Sequence, residues 1–256
     1  MPQLQRLAVT AAQICDRKID LTREQQHYLN RVLRLQAGDR FIAMDGRGHW
    51  WLAVLEAQET GLIASIAEEI AVNRELPVEV TLMAALPKGN GFDEVVRQAT
   101  ELGVASIVPV TSDRTLLKPS DQKVDRWRRI AAEAAEQSER QIVPTILEPI
   151  SFDVAVKDCG QKYRYICVAR GENRHLWDCL IGSLEPPQPP LIRGEKDGEE
   201  LSIVIAVGPE GGWTEGEVKR AIEFGFEAVS LGSRILRAVT APIVALSLVG
   251  AAFEKC

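Results

Sequence analysis

The sequence contains few of the residues that build metal centres and disulfide frameworks. Its 256 residues include five cysteines and three histidines. No two cysteines have the C-x-x-C spacing that is typical of a zinc site or a redox pair. We therefore expect no metal ion. Scattered, unpaired cysteines are typical of a reducing compartment, which predicts a cytoplasmic protein.

Long hydrophobic runs are also lacking. The most apolar stretch, residues 239–253, is too short to span a bilayer and contains Thr240 and Ser247. The N-terminal residues do not show the basic and then apolar pattern of a signal peptide. The sequence therefore predicts neither a membrane span nor a membrane partner.

Positive charge is scarce for a protein that binds nucleic acid. The formal net charge is −6, so the overall balance does not indicate an RNA or DNA partner. The first 50 residues nevertheless carry eight Lys or Arg against five Asp or Glu. This local excess is compatible with RNA contact but does not by itself predict it.

The hydrophobic pattern divides the chain into two parts. Residues 1–72 contain short predicted strands around one helix, which begins at the capping sequence Thr22–Gln25. From residue 73 onward, predicted strands and helices alternate, which favours a parallel α/β sheet. A proline-rich and then charged stretch, 183–200, is predicted to be an exposed loop. The apolar side of the first helix is predicted to consist of Tyr28, Leu29, Val32 and Leu33.

Two glycine-rich loops follow neighbouring predicted strands in the second part. The strand Leu201–Val207 leads into Gly208–Gly212, and the strand Ala228–Leu231 leads into Gly232–Arg237. Open α/β sheets bind ligands at the carboxyl ends of their strands, and backbone groups in such loops suit the edge of a nucleobase. Neither loop has the spacing of a dinucleotide or Walker motif. One loop alone is explained as a tight turn, whereas two together favour a ligand site.

These loops carry a resemblance to a known family. The sequences Gly208–Gly212, Leu231–Arg237 and Thr240–Ala241 resemble the signature of the 16S ribosomal RNA (uracil-N3)-methyltransferases, which belong to the SPOUT class. The resemblance implies an α/β fold. A PUA-like, RNA-binding β-barrel at 1–72 would precede a SPOUT-type parallel-sheet domain at 73–256, whose loops form a trefoil knot.

The resemblance also covers His27–Arg34, Ala99–Val104 and Glu133–Ser138, and therefore nearly the whole chain. The chain departs from the family pattern at two positions. Gln98 stands where the family usually has lysine, and Val239 stands where it usually has glutamate.

The resemblance implies an enzyme that transfers the methyl group of S-adenosylmethionine to N3 of a uridine in 16S ribosomal RNA. The implied partners are the assembled small ribosomal subunit and a second copy of the chain in a homodimer. N3 of uracil carries a proton and is a poor nucleophile until that proton leaves. Such a site must accept the proton or stabilise the negative charge that spreads onto the carbonyl oxygens.

The resemblance also implies roles for individual residues. For charge stabilisation we expect Arg237 first and then Arg234, because a guanidinium is always charged. Glu210 is expected either to act as a base or to order its loop. The residues expected to bind the cofactor are Ala169, Gly208, Pro209, Glu210, Gly211, Gly212, Leu231, Gly232, Ile235 and Leu236. Those expected to bind RNA are Arg31, Arg34, Lys88, Arg114 and Arg140.

Three alternatives remain at this point. The first is another SPOUT-type RNA methyltransferase. The second is a dinucleotide-dependent α/β enzyme, which the absence of its fingerprint disfavours. The third is a non-catalytic RNA-binding module, which would explain the first part of the chain but not the two glycine loops.

Overall fold

A computed structural model describes residues 4–58, 61–71, 74–115, 119–182 and 201–254. It divides into two compact units, one formed by Met1–Glu75 with Ala132–Val143 and the other by Leu76–Ala131 with Pro144–Cys256. The predicted domain boundary at residues 72 and 73, and the predicted loop 183–200, lie outside the described residues. No sequence pattern indicates that residues 132–143 belong to the first unit.

The first unit is built on a six-stranded sheet. The elements are β1 (Arg6–Ala8), β2 (Ile14–Cys15), β3 (Lys18–Ile19), α1 (Arg23–His27), β4 (Arg40–Met44), β5 (Trp50–Gln58) and β6 (Gly61–Ile70). The strand order is β1-β4-β5-β6-β3-β2, with β1 parallel to β4 and the other neighbours antiparallel. Strands β4 and β5 form a hairpin whose turn contains Asp45 and Gly46, and Gly46 has a positive φ of 68°.

Helix α1 ends differently from the prediction. The capping box at Thr22 is confirmed, but after His27 the chain enters a π-helical turn, Tyr28–Val32. Leu29 is fully buried as expected, whereas Val32 is 58% exposed. The placement of Val32 on the apolar side was therefore wrong. A π-turn closes its hydrogen bonds over five residues, which rotates the following side chains relative to an α-helix.

The second unit contains one parallel sheet flanked by helices. The elements are β7 (Glu79–Ala85), α2 (Gly91–Glu101), β8 (Ser106–Thr111), α3 (Asp121–Gln137), β9 (Thr145–Ile146), β10 (Ile150–Ser151), α4 (Phe152–Lys157), β11 (Tyr163–Cys167), β12 (Arg174–His175), α5 (Leu176–Gly182), β13 (Ser202–Val207), α6 (Glu215–Glu223), β14 (Glu227–Ser230) and α7 (Ala241–Phe253). The part of α3 from residue 132 onward belongs to the first unit. The strand order is β10-β8-β7-β13-β11-β14-β12, with β9 beside β8, and every pairing is parallel. This confirms the predicted parallel sheet, while the knot stays a prediction.

The core of the second unit explains where its loops lie. The central residues of β13, including Ile203, Val204 and Ile205, are buried, as expected for a strand that helices cover on both faces. Each such side chain contributes about 1.5–3 kcal/mol through burial. Strand β11 lies between β13 and β14, so the carboxyl ends of these three strands reach the same edge of the sheet. None of the described helices is long and apolar enough to cross a bilayer.

Candidate active site

A cavity of about 1070 Å³ lies at the carboxyl ends of β11, β13 and β14. Its walls are the segments that follow these strands, with one side of α6 closing it. Such an edge of a parallel sheet is where α/β proteins place their ligands. All the residues that the sequence analysis assigned to the cofactor line this cavity, namely Ala169, Gly208, Pro209, Glu210, Gly211, Gly212, Leu231, Gly232, Ile235 and Leu236.

The loop after β13 is a tight turn anchored in the core. The N–H of Gly212 donates to the carbonyl oxygen of Pro209 at 2.8 Å, and Gly212 has a φ of 68°, which favours glycine. A Cβ on Gly208 would lie only 3.2 Å from the Trp213 ring. That ring stacks on Phe152 with centroids 4.1 Å apart. The turn therefore has little freedom to change shape.

A buried carboxylate joins this loop to a second one. Glu217 is 1% exposed, and its Oε2 accepts from the N–H of Thr214 at 2.7 Å as part of a capping box at the start of α6. Its Oε1 accepts from the N–H of Asp113 at 2.9 Å. One side chain thus holds both the start of α6 and the loop after β8. The sequence analysis missed this second contact.

Arg114, also in the loop after β8, holds the glycine loop from the other side. Its Nη1 donates to the carbonyl oxygens of Gly211 and Trp213, the latter at 3.4 Å. A Cβ on Gly211 would lie 3.1 Å from Cδ of Arg114, so glycine allows this close approach. The sequence analysis assigned Arg114 to RNA. In the structure it lines the cavity and contacts the loop.

Comparison with known families identifies the protein. A model of the RNA methyltransferase domain matches residues 74–250, and a model of the RNA methyltransferase PUA domain matches residues 21–66. The chain belongs to this RNA methyltransferase family. The predicted division into a PUA-like β domain and a methyltransferase domain agrees with the order of these two matches.

Individual relatives support the same family. The chain is 46% identical to the ribosomal RNA small subunit methyltransferase E of Synechocystis over 98% of this chain and 78% of that protein. It is 33% identical to the enzyme of the same name from Bacillus subtilis, over 90% and 88%. A crystal structure of the Neisseria gonorrhoeae enzyme of that name, bound to S-adenosyl methionine, is 30% identical and has a TM-score of 0.82, with 98% of each chain covered. A methyltransferase of Legionella pneumophila in complex with the same cofactor is 27% identical, with a TM-score of 0.81 and 98% of each chain covered.

The three residues expected to be catalytic occupy different places in this methyltransferase. Arg234 is exposed and lines the cavity. Glu210 also lines it, and its Oε1 accepts from the N–H of Lys88 at 2.9 Å. Arg237 is exposed but is not among the described residues that line the cavity. Its carbonyl oxygen instead accepts from the N–H of Ala241 at 2.9 Å, where α7 begins.

The residues expected to bind RNA also differ in accessibility. Arg31, Arg34 and Lys88 are exposed, which is compatible with phosphate contact. Arg140 is only 3% exposed, and its Nε donates to Oε2 of Glu75 at 3.1 Å. This placement does not favour the predicted contact between Arg140 and RNA. Because Glu75 and Arg140 are distant in sequence, no local sequence pattern predicts that they form an ion pair.

Proposed function

We propose that this protein transfers the methyl group of S-adenosylmethionine to N3 of a uridine in 16S ribosomal RNA. The names of the relatives and the cofactor bound in two of the similar crystal structures support this reaction. The observation that carries the proposal is the single cavity lined by every residue that the sequence analysis assigned to the cofactor. The N3 position rests on the family resemblance described above.

The lining of the cavity fits the proposed cofactor. Gly232 has a φ of 111°, and apart from its chain neighbours no heavy atom of the described residues lies within 4 Å of the place where its Cβ would be, so the loop backbone is open to a ligand. Backbone N–H and C=O groups of the two glycine loops can bind the edge of adenine. The cavity lining carries both signs of charge, with Glu210, Glu215 and Glu223 beside Arg114, Arg170, Lys219 and Arg234. Such a lining offers partners for the sulfonium and ammonium groups of the cofactor and for its carboxylate. When bound, S-adenosylmethionine supplies an electrophilic methyl group at its sulfonium.

We assign the main catalytic role to Arg234. As N3 loses its proton, negative charge spreads onto the carbonyl oxygens of uracil, and a guanidinium close by stabilises that charge. Of the two arginines expected in this role, Arg234 lines the cavity and Arg237 does not. N3 lies on the pairing edge of the base, so the uridine must be unpaired or turned out of its helix when it reacts.

We propose that Glu210 orders its loop and does not act as the base. One of its carboxylate oxygens already accepts the N–H of Lys88, which ties the loop after β13 to the turn before α2. A carboxylate that accepts a backbone N–H from another segment holds the two segments together, which is the ordering role that we assign to Glu210. Glu210→Gln should therefore retain much of the methylation rate, whereas loss of a general base would lower it ~100-fold or more.

Primer extension tests the reaction. A methyl group on N3 removes the pairing hydrogen of uracil, so reverse transcriptase should stop at the modified uridine after small subunits are incubated with the protein and S-adenosylmethionine. A stop in 16S RNA that depends on both components supports the proposal. Methyl transfer to RNA without such a stop would instead indicate that another atom is methylated. Single-turnover rates should fall ~100-fold in Arg234→Ala and much less in Arg237→Ala.

We further propose that the protein is a cytoplasmic homodimer that acts on the assembled small subunit, with RNA binding assigned to the first unit. Ile235 and Ile222 are 65% and 52% exposed, and both line the cavity. Exposed apolar side chains of this size are typical of a covered surface, and a second copy would cover them. Light scattering at micromolar concentration should give the mass of a dimer, and a monomer would contradict this proposal.

A further inference from the structure

An aromatic pair lies where the turn between β4 and β5 enters β5, and one of its two rings is exposed. The rings of His49 and Trp51 are stacked, with centroids 5.8 Å apart and planes at 10°. The His49 side chain is 56% exposed, while Trp51 packs partly against the core of the first unit. The other two aromatic pairs among the described residues, Phe92 with Trp127 and Phe152 with Trp213, lie in the interior. His49 therefore offers a free ring face in a position that packing does not require.

Hydrogen bonds to Asp45 fix this ring. The carboxylate of Asp45, 9% exposed, accepts from the N–H of Arg47 at 2.8 Å and from the N–H of His49 at 3.1 Å. Its second oxygen is 2.9 Å from Nδ1 of His49. Burial raises the pKa of Asp45, but these hydrogen bonds outweigh burial, so its pKa is lower than usual. The carboxylate is therefore ionised at neutral pH and holds the imidazole in one orientation.

A second set of contacts holds the turn itself. The N–H of Gly48 donates to the carbonyl oxygen of Gln141 at 3.1 Å, and Nε2 of Gln141 donates back to the carbonyl oxygen of Gly48 at 3.0 Å. The N–H of Val143 donates to the carbonyl oxygen of Gly46 at 2.9 Å. A loop that is already rigid loses little entropy when it binds a ligand. This rigidity is unusual for an exposed turn and favours a binding role.

The charged side chains on the two sides of the aromatic pair have opposite signs. Arg47 is exposed at the tip of the turn, and its side chain has no ion pair within the part of the chain that the structure describes. Glu69 lies opposite Trp51 in the register of β5 and β6 and is also exposed. A phosphate is attracted to the Arg47 side and repelled on the Glu69 side. A nucleic-acid strand would therefore run along the Arg47 side of the platform.

We propose that the exposed face of His49 binds one unpaired base of the RNA by stacking, with Arg47 binding the adjacent phosphate. A flat aromatic ring beside an unpaired arginine is the arrangement by which proteins hold single-stranded RNA. This inference rests on the proposed function, because that function makes RNA the substrate. It adds a specific RNA contact in the first unit to the cavity already described in the second unit.

Binding of a short RNA tests the contact. Fluorescence anisotropy would compare a labelled single-stranded uridine hexamer with a hexamer of the same backbone that lacks bases, using the full chain. His49→Ala should weaken binding of the uridine hexamer at least about fivefold and leave binding of the baseless hexamer unchanged. His49→Phe keeps a stacking ring and should bind within about twofold of the unaltered protein. His27→Ala is the matched control, because His27 is an exposed histidine of the same unit.

Two results would overturn the inference. One is equal affinity of the unaltered protein for the two hexamers, which includes no binding of either. The other is unchanged affinity for the uridine hexamer in His49→Ala. Primer extension on small subunits, run in parallel, separates this inference from the proposed function. If the unaltered protein still produces the stop in 16S RNA, the function stands and only the stacking site fails.

Discussion

The two units each contain a glutamate that anchors a loop, but the two glutamates use different partners. In the second unit, Glu217 accepts from N–H and O–H groups of Thr214 and from the N–H of Asp113, which are all neutral donors. In the first unit, Glu75 binds the guanidinium of Arg140 and also accepts from two backbone N–H groups of 141 and 142. A neutral donor that is lost leaves one missing hydrogen bond, whereas a lost charge leaves its partner charge buried and unpaired.

The largest expected effect comes from breaking the charged anchor, which is the ion pair between Glu75 and Arg140. Arg140→Ala should lower the free energy of unfolding by about 3–5 kcal/mol, because the carboxylate of Glu75, only 18% exposed, would lose the guanidinium that balances its charge. The side chain of Arg140 is only 4% exposed, so water cannot replace it fully. Urea unfolding, followed by far-UV circular dichroism, measures the change. Arg40→Ala is the control, since Arg40 is exposed in the same unit, and a similar midpoint for both variants would refute the charged anchor.

Removing Glu217, whose hydrogen-bond donors are all neutral, should cost less stability but should also weaken cofactor binding. Glu217→Ala removes a helix cap and the tie to Asp113, and we expect a loss of about 1–3 kcal/mol. The glycine loop would lose its fixed position, so affinity for S-adenosylhomocysteine should fall as well. Calorimetry measures that affinity. Glu217→Gln keeps one carbonyl oxygen, so its stability and affinity should lie between those of Glu217→Ala and of the unaltered protein. If Glu217→Gln lost as much as Glu217→Ala, the negative charge of Glu217 would be essential.

Arg114 adds a third case to the comparison of Glu75 and Glu217, because it is a charged residue that donates to neutral carbonyl groups. It is exposed, so Arg114→Ala should change the free energy of unfolding by less than ~0.5 kcal/mol. Its contacts hold Gly211 and Trp213, and their loss should weaken S-adenosylhomocysteine binding about tenfold through a less ordered loop. Arg129→Ala, an exposed arginine of the same unit, serves as the control. Unchanged affinity would show that the loop holds its shape without Arg114.

The smallest effect is expected at Glu136, a carboxylate that forms no ion pair with any cation in the described parts of the chain. Burial raises its pKa, the hydrogen bond from the N–H of Ala8 lowers it, and repulsion from Glu133 raises it, with a net increase. A carboxyl whose pKa is raised by folding destabilises the folded state once pH exceeds the unfolded pKa of about 4.3. Glu136→Gln should therefore raise stability by a few tenths to ~1 kcal/mol at pH 7. Melting curves at pH 7 and pH 4 should show this gain at pH 7 only.

The separation of two contacting residues along the chain explains which features the sequence could predict. The capping boxes at Thr22 and Thr214 connect residues three positions apart, so local chemistry specifies them. The position of both glycine loops follows from strand order in a parallel sheet. The contacts of Glu217 with Asp113 and of Glu75 with Arg140 join distant residues, and only the folded chain brings them together.

The wrong placement of Val32 and the untested ranking of two arginines both have local causes that a sequence does not reveal. The π-turn at Tyr28–Val32 changed the side of the helix on which Val32 lies, although the apolar spacing suited an α-helix. Arg234 and Arg237 are close in a loop without regular backbone, so no periodicity indicates which of them lines the cavity. Periodic patterns predict the direction of a side chain only where the backbone is itself periodic.

The first unit is discontinuous, and this has a consequence for the order in which the protein can fold. Ala135 packs with Ile42, Met44 and Trp50, and the pair between Glu75 and Arg140 closes the same unit. A chain emerging from the ribosome presents its N-terminal residues first. The β-sheet of 4–70 must therefore wait, with part of its apolar surface uncovered, until synthesis has passed residue 143. A nascent chain arrested before that point should be more sensitive to protease in the first unit than one arrested well after it.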